Sequence, residues 1–182
     1  MIVSHSHRFV YFPPMKTATS TLWDVLRKHF NAKVFWGRHV CLLPKSYEHY
    51  FTFASVRNPY SRAISAYNYV NREQPDNPLP ILDLLDVNIF PSMHTSIFRQ
   101  PIGSGFMPIR IDALVHAETL SDDFHKLPFV TTKIDLPRLN VSPKIVSVVP
   151  LQVYDFVKQY HKEDFEYFGY DMRYPQFGLK IY

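Results

Sequence analysis

Lys16 sits among four small hydroxylated residues in FPPMKTATST, residues 12 to 21, where a β-favouring run gives way to an apolar helical pattern. The first N–H groups of a helix have no intrahelical partners. With a neighbouring ammonium and several hydroxyls they converge on an anion. Lys16, Thr17, Ala18, Thr19, Ser20 and Thr21 are therefore a candidate phosphate cradle. It is not a Walker A loop, because G-x-x-x-x-G-K-[ST] is absent and the segment holds no glycine. Taken alone, the same residues serve equally well as a helix cap beside a solvated lysine. A second grip follows at Arg57, which closes the strand-like YFTFASVR, with Ser65 two turns into the next helix. A planar guanidinium and a hydroxyl can hold one phosphate from two sides. An isolated arginine is more often a surface ion pair, but two anion grips on neighbouring strand ends suggest a nucleotide with phosphates at two separate places.

These residues need elements to hold them. RFVYF (8–12) reads as a buried strand, and 20–30 as an amphipathic helix with Leu22, Val25, Leu26 and Phe30 on one face. AKVFW offers a second strand and 50–57 a stronger one, rich in aromatic and β-branched residues. Asn58 caps the next helix and Pro59 takes its first position. Residues 72–110 form a proline-rich excursion over the surface, with a short helix in ILDLLDV. A strand at 111–116, a helix in ETLSDDFHKL, a basic loop at 129–144 and one last helix at 151–168 complete the chain. Alternating strands and helices predict an α/β fold, one domain over residues 1–182, with a central, mainly parallel sheet flanked by helices. Ligands of such sheets sit beyond the carboxyl ends of the strands.

Composition narrows the class. The 182 residues suit one core. No apolar run is long enough to cross a bilayer and no secretory leader is visible, so the expectation is a soluble, cytoplasmic protein. The single cysteine, Cys41, forbids an intrachain disulfide and a cysteine-built metal site. A net charge of +4 favours an anionic ligand. The basic residues are dispersed, which leaves nucleic-acid binding unproven, and no nucleic-acid partner is assigned. His5 and His7 fit a mobile N-terminus better than a metal site. Trp36 fits a core position better than stacking on adenine or a sugar. Asp83, Asp86, Asp122 and Asp123 read as helix faces and caps, and Glu118 as an ion pair or cap.

FPPMKTATST followed by FTFASVRNPYSRAISAY resembles the paired signature of sulfotransferases that use 3′-phosphoadenosine 5′-phosphosulfate. Arg57, Asn58, Pro59, Arg62, Ser65 and Tyr67 match its R-[DN]-P-x-x-R-x-x-S-x-Y segment position by position. WGRHV is similar to the H-G-H-V segment of the carbohydrate branch that holds heparan and uronosyl 2-O-sulfotransferases and their bacterial or viral relatives. LVHAETLSDDF and YHKEDFEYFGY extend the likeness. Three positions depart from the pattern. Met15 stands between Pro14 and Lys16, Thr19 where glycine is common, and Arg38 between Gly37 and His39.

The resemblance implies a P-loop-like sulfotransferase fold and transfer of a sulfuryl group to an acceptor hydroxyl, with a saccharide favoured as acceptor. It implies that the Lys16 loop holds the phosphosulfate, that Arg57 and Ser65 hold the 3′-phosphate, and that Ser142 and Lys144 lie in a late loop closing over the donor. His39 becomes the base for the acceptor proton, with His94 next in line, and Lys16 the partner of the leaving oxygen. Adenosine 3′,5′-bisphosphate is the expected product and no metal is required, because Lys16 neutralises the departing side. A nucleotide or small-molecule kinase, and a non-catalytic nucleotide- or glycan-binding module, are the competing readings. The oligomeric state is not legible.

Overall fold

The computed structural model describes residues 1–80, 83, 90–98, 105–139 and 151–173. In chain order these give β1 (Ile2–Ser4), β2 (Phe9–Phe12), α1 (Thr19–Phe30), β3 (Lys33–Val34), β4 (Leu43–Pro44), β5 (Phe51–Val56) and α2 (Pro59–Val70). Then come α3 (Met93–Phe98), β6 (Phe106–Met107), β7 (Ala113–His116), α4 (Leu120–Phe124), α5 (Leu151–Tyr160) and α6 (Lys162–Phe168). Two compact units form, one from Met1–Arg57 with Thr95–Asn140, the other from Asn58–His94 with Val141–Tyr182. Each is built from two stretches of chain, so no composition shift in the sequence marks either.

The first unit is an α/β structure around a five-stranded sheet of order β3-β1-β2-β5-β7. The β2, β5 and β7 strands are parallel neighbours, with Phe12 opposite Ala54 and Val56 opposite His116. The apolar residues of β2 and of β5 after Phe51 are buried on both faces, as a covered parallel sheet requires, while Ala113 and Leu114 of β7 are half-buried. Phe9, Tyr11, Phe53 and Val115 point to one face, where Leu22, Val25, Leu26 and Phe30 of α1 and Phe124 of α4 complete the core. Val10, Phe12, Ala54 and Val56 on the opposite face are also fully buried. The expected face of α1 is thus the one observed.

The sheet is not parallel throughout. Residues 5–8 turn the chain so that β1 pairs antiparallel with β2, Val3 opposite Val10, and β3 pairs antiparallel with β1. This corrects the expectation of a mobile N-terminus. Met1, Ile2 and Val3 are buried because three apolar residues in a row can cover a sheet edge. The second strand is shorter than AKVFW, since Trp36 and Gly37 both take positive φ and end it. A two-stranded sheet joins β4 to β6.

The second unit packs Tyr60 and Ala63 of α2 against Val153, Tyr154 and Val157 of α5 and Phe165 of α6. Asn58 caps α2 through its Oδ1, which accepts from the Tyr60 and Ser61 amides, and Pro59 opens the helix. The expected single helix 151–168 is two helices broken at His161. Asp164 accepts from the amides of Met93 and His94 at 2.9 and 2.7 Å, and the His161 ring bonds the Phe90 carbonyl. Phe90, Met93 and Ile97 are buried, so the 72–110 segment is core in part and not only a surface excursion. Its expected ILDLLDV helix lies outside the described residues but for Asp83.

Candidate functional site

The cradle segment leaves β2 at Pro13 and Pro14, both buried. Lys16 (φ 68°) and Ala18 (φ 63°) then take left-handed backbone conformations, with Thr17 between them on the ordinary side. A non-glycine residue there costs about 1–2 kcal/mol. Alternation of this kind turns successive N–H groups toward a common point, the concavity that binds anions. The backbone therefore makes a nest without the glycines that usually permit one. Strain of this sort persists only where surrounding contacts impose it.

Those contacts are a chain of hydroxyls. Thr17 Oγ1 donates to the Pro14 carbonyl at 2.8 Å and lies 2.6 Å from Ser55 Oγ, which lies 2.6 Å from the Tyr11 hydroxyl. A carbonyl only accepts and each hydroxyl carries one proton. The direction is therefore settled as Tyr11 to Ser55 to Thr17 to Pro14. Thr19 Oγ1 also donates to the Pro14 carbonyl, and Thr21 Oγ1 to that of Pro137. The sequence expectation of several hydroxyls facing an anion is thereby revised. Thr17, Thr19 and Thr21 have committed their protons to carbonyls, so what they can offer an anion is backbone N–H.

The start of α1 has no side-chain cap. Its N-cap residue, Ala18, has no side chain to bond the first N–H groups, and no acidic residue lies in the first turn. Arg27, Lys28 and His29 occupy the last turn, where cations suit the helix dipole. Lys16 and Ser20 are half-buried beside the nest.

His39 is tied to the same loop. Its Nδ1 lies 2.9 Å from the carbonyl oxygen of Pro13, so Nδ1 carries the proton and donates it. The neutral ring then presents an unprotonated Nε2, the form a general base needs. The segment carrying His39 is pinned to β1, with the Phe35 amide donating to the Met1 carbonyl at 2.9 Å and the Met1 nitrogen to that of Gly37 at 2.7 Å. Trp36 is 56% exposed, which corrects the core expectation: β3 ends at Val34 and the reversal at Trp36 and Gly37 carries the indole off the sheet.

Arg57 follows Val56 at the carboxyl end of β5 and is half-buried. Because β2 and β5 are parallel neighbours, it shares a sheet edge with the cradle. Ser65 lies partly exposed on α2 of the second unit. Arg62 of the same motif is fully buried there, its Nη1 donating to the Pro91 carbonyl at 3.0 Å and its guanidinium 4.1 Å from the centre of the Phe90 ring. His94 pairs with Glu163 at 3.0 Å. Ser142 and Lys144 lie outside the described residues.

Sequence reasoning missed Tyr11, Ser55 and the Pro13 carbonyl as supports of the site. It also missed a carboxylate–imidazole pair at the end of β7, where Asp123 accepts from His116 Nδ1 at 2.8 Å, from the His116 amide, and from Thr119. Burial works against the Asp123 charge, but these donors and Lys126 hold its carboxyl well below the usual carboxylate range. Among the described residues no helix is long and apolar enough to cross a membrane, and no group of three or more His, Cys, Asp or Glu could hold a metal ion. No family model, curated protein or solved structure matches the chain.

Proposed function

We propose that the chain transfers a sulfuryl group from 3′-phosphoadenosine 5′-phosphosulfate to an acceptor hydroxyl on a saccharide. The observation that carries this reading is an anion nest with an imidazole hydrogen-bonded to the loop that forms it. Residues 16–20 present N–H groups and an ammonium, and His39 hangs from Pro13 of that loop. Donor and base are thereby positioned by the same few residues, as an in-line transfer needs. A sheet edge with its binding loop after β2 also supports a P-loop-like sulfotransferase fold, here with αL residues at 16 and 18 in place of glycines.

The acceptor O–H gives its proton to His39 Nε2 while its oxygen attacks sulfur. The bond between sulfur and the bridging oxygen breaks, and adenosine 3′,5′-bisphosphate departs with that electron pair. Lys16 neutralises the bridging oxygen, and the N-terminal amides of α1 hold the 5′-phosphate. The imidazolium then releases its proton to water. Arg57 takes the 3′-phosphate, with Ser65 and the 142–144 segment assigned to the donor by the sequence motif alone. Ammonium and amides meet the charge of the departing phosphate, so the step requires no metal. One buried cysteine suits a reducing, cytoplasmic setting.

Calorimetry with adenosine 3′,5′-bisphosphate against ATP and AMP, without added metal, tests the donor class. Preferential binding of the bisphosphate, weakened in Arg57→Ala, is expected. Equal binding of all three would overturn the reading in favour of a kinase or a general nucleotide-binding module.

A further inference from the structure

We propose that the ring cluster around Trp36 is a docking face for an anionic bilayer surface. Trp36 and Val34 enter the headgroup boundary, and Arg8, Lys33, Arg38 and Lys45 meet the lipid phosphates and carboxylates. Docking of this kind is independent of the proposed reaction.

The rings form one connected group in the first unit. Centroids lie 5.6 Å apart for Phe106 and Trp36, 6.5 Å for Trp36 and Phe35, 6.0 Å for Phe35 and His5, and 6.4 Å for Phe35 and Tyr47. Tyr50 lies 5.0 Å from Tyr47, and the Arg8 guanidinium ends the group 6.0 Å from the centre of the Tyr50 ring. None of the six rings is buried. Trp36 is the most exposed large apolar side chain among the described residues, and Val34, two residues before it, is 38% exposed. Trp36 also holds φ at 56°, a conformation that a bulky aromatic residue adopts only under constraint.

Exposed apolar side chains alone need no explanation, but the charge around these is one-sided. Residues 1–47 carry Arg8, Lys16, Arg27, Lys28, Lys33, Arg38 and Lys45 against the single acid Asp24, which Arg27 and Lys28 occupy. Elsewhere Arg110, Lys126 and Lys162 pair with carboxylates. Arg8, Lys33, Arg38 and Lys45 are exposed and have no carboxylate partner among the described residues. Lys33 and Arg38 bracket Val34 and Trp36 in the chain, and the Lys45 amide donates to the carbonyl of Gly105, beside Phe106. The acids next to Tyr50 are engaged, Glu48 with His49 and Asp112 with Arg110 and the Thr52 amide.

Anionic headgroups complement such cations, each worth about fivefold in affinity near a charged surface. Tryptophan and tyrosine settle where an apolar phase meets water. Single-stranded nucleic acid fits less well, because stacking needs several free ring faces along a track. Here Phe106, Phe35 and His5 meet their neighbours edge to face, at 67°, 83° and 85°. A second copy would bring like charge against like.

The test mixes the full chain with vesicles of phosphatidylcholine, with or without phosphatidylserine. Co-sedimentation reads binding, and a blue shift of indole emission reads insertion; Trp23, the other tryptophan, packs against the core. Binding is expected to be about tenfold tighter with phosphatidylserine and to fall as salt is raised. Trp36→Ala should weaken it about tenfold and remove the blue shift. Lys33→Gln with Arg38→Gln should weaken it by on the order of tenfold, whereas Lys133→Gln with Arg138→Gln, an equal loss of charge at exposed residues outside the cluster, should bind as the parent does. The contrast between the two double variants holds whatever Trp36→Ala does to folding. Equal binding to both vesicle types, binding to neither, or equal losses in the two double variants overturns the docking face. So does binding of a single-stranded oligothymidylate that Trp36→Ala abolishes, in a chain that ignores vesicles, which assigns the cluster to nucleic acid.

Discussion

The Nδ1 of His39 donates to the carbonyl oxygen of Pro13 across 2.9 Å, and Pro13 is the residue at which the chain leaves β2 for the anion nest. The bond fixes Nδ1 as the ring nitrogen that donates and holds the imidazole against the start of the loop. It also ties two stretches of sequence 26 residues apart. A shift of the loop at Pro13 therefore moves the nest and the imidazole together.

His39→Ala is expected to lower turnover by roughly 10²–10⁴-fold, the range for removal of a general base. Binding of adenosine 3′,5′-bisphosphate should stay within about twofold of the parent, because the nest is formed by residues 16–20 and anchored by Thr17 and Thr19. Steady-state turnover beside calorimetry separates the two. Parent-level turnover in the variant would remove His39 as base and turn attention to His94 or to His116, which Asp123 already orients.

Lys16 and Ala18 carry the backbone strain of the nest, and Ala18 allows that strain to be measured. Glycine adopts φ near 63° without penalty, so Ala18→Gly should raise stability or leave it level, within about 1 kcal/mol, and preserve bisphosphate binding. Ala18→Val should lose about 2 kcal/mol or more, since a β-branched residue is least tolerant there. Urea unfolding of the three proteins gives the comparison. A stabilising valine would mean that residue 18 is not left-handed in solution.

The hydroxyl chain predicts unequal effects from its first two members. Ser55→Ala leaves Thr17 without a donor and takes one of two hydroxyl partners, Ser55 and Thr19, from buried Tyr11, and should cost about 1–3 kcal/mol and weaken bisphosphate binding. Tyr11→Phe removes the bonds to Ser55 and Thr19, but Ser55 still donates to Thr17 and Thr19 to the Pro14 carbonyl, so it should cost less and leave binding nearly intact. Burial also pushes the Tyr11 hydroxyl well above its ordinary value, which keeps it a donor at any working pH. Equal losses of binding in both variants would contradict the assigned direction of the chain.

What was legible in the sequence is what local rules decide. The apolar face of α1 follows from 3.6-residue spacing, and the start of α2 from Asn58 and Pro59, so both read correctly. The left-handed backbone of Lys16 and Ala18 was not legible, because the glycines that signal it are missing and tertiary bonds such as that of Thr17 with Ser55 hold it. The end of α5 was hidden for a related reason. Val153, Val157, His161, Asp164 and Phe168 keep the helical period straight through the break. No glycine or proline marks it, and at the break His161 and Asp164 turn to bond the 90–94 segment. Trp36 misread because hydrophobicity predicts burial and says nothing of a reversal two residues past a strand.

The same buried pair predicts an acid-sensitive second unit. Burial, and then the charge of Arg62, lower His161 from its ordinary 6.5 to about 4, while its Nε2 donates to the Phe90 carbonyl. The native state therefore keeps His161 neutral over a range where the unfolded chain is protonated. Its contribution to stability is complete above pH 6.5 and is lost as pH falls toward about 4, on the order of 3 kcal/mol in all. Asp164 acts in the opposite sense, because burial raises its carboxyl, so the observed slope should be shallower than His161 alone would give. His161→Gln can still donate to Phe90 and cannot titrate. Its stability, measured by urea unfolding at pH 7.5 and pH 5, should fall less on acidification than that of the parent. An identical fall in both proteins would show that His161 is not the group responsible.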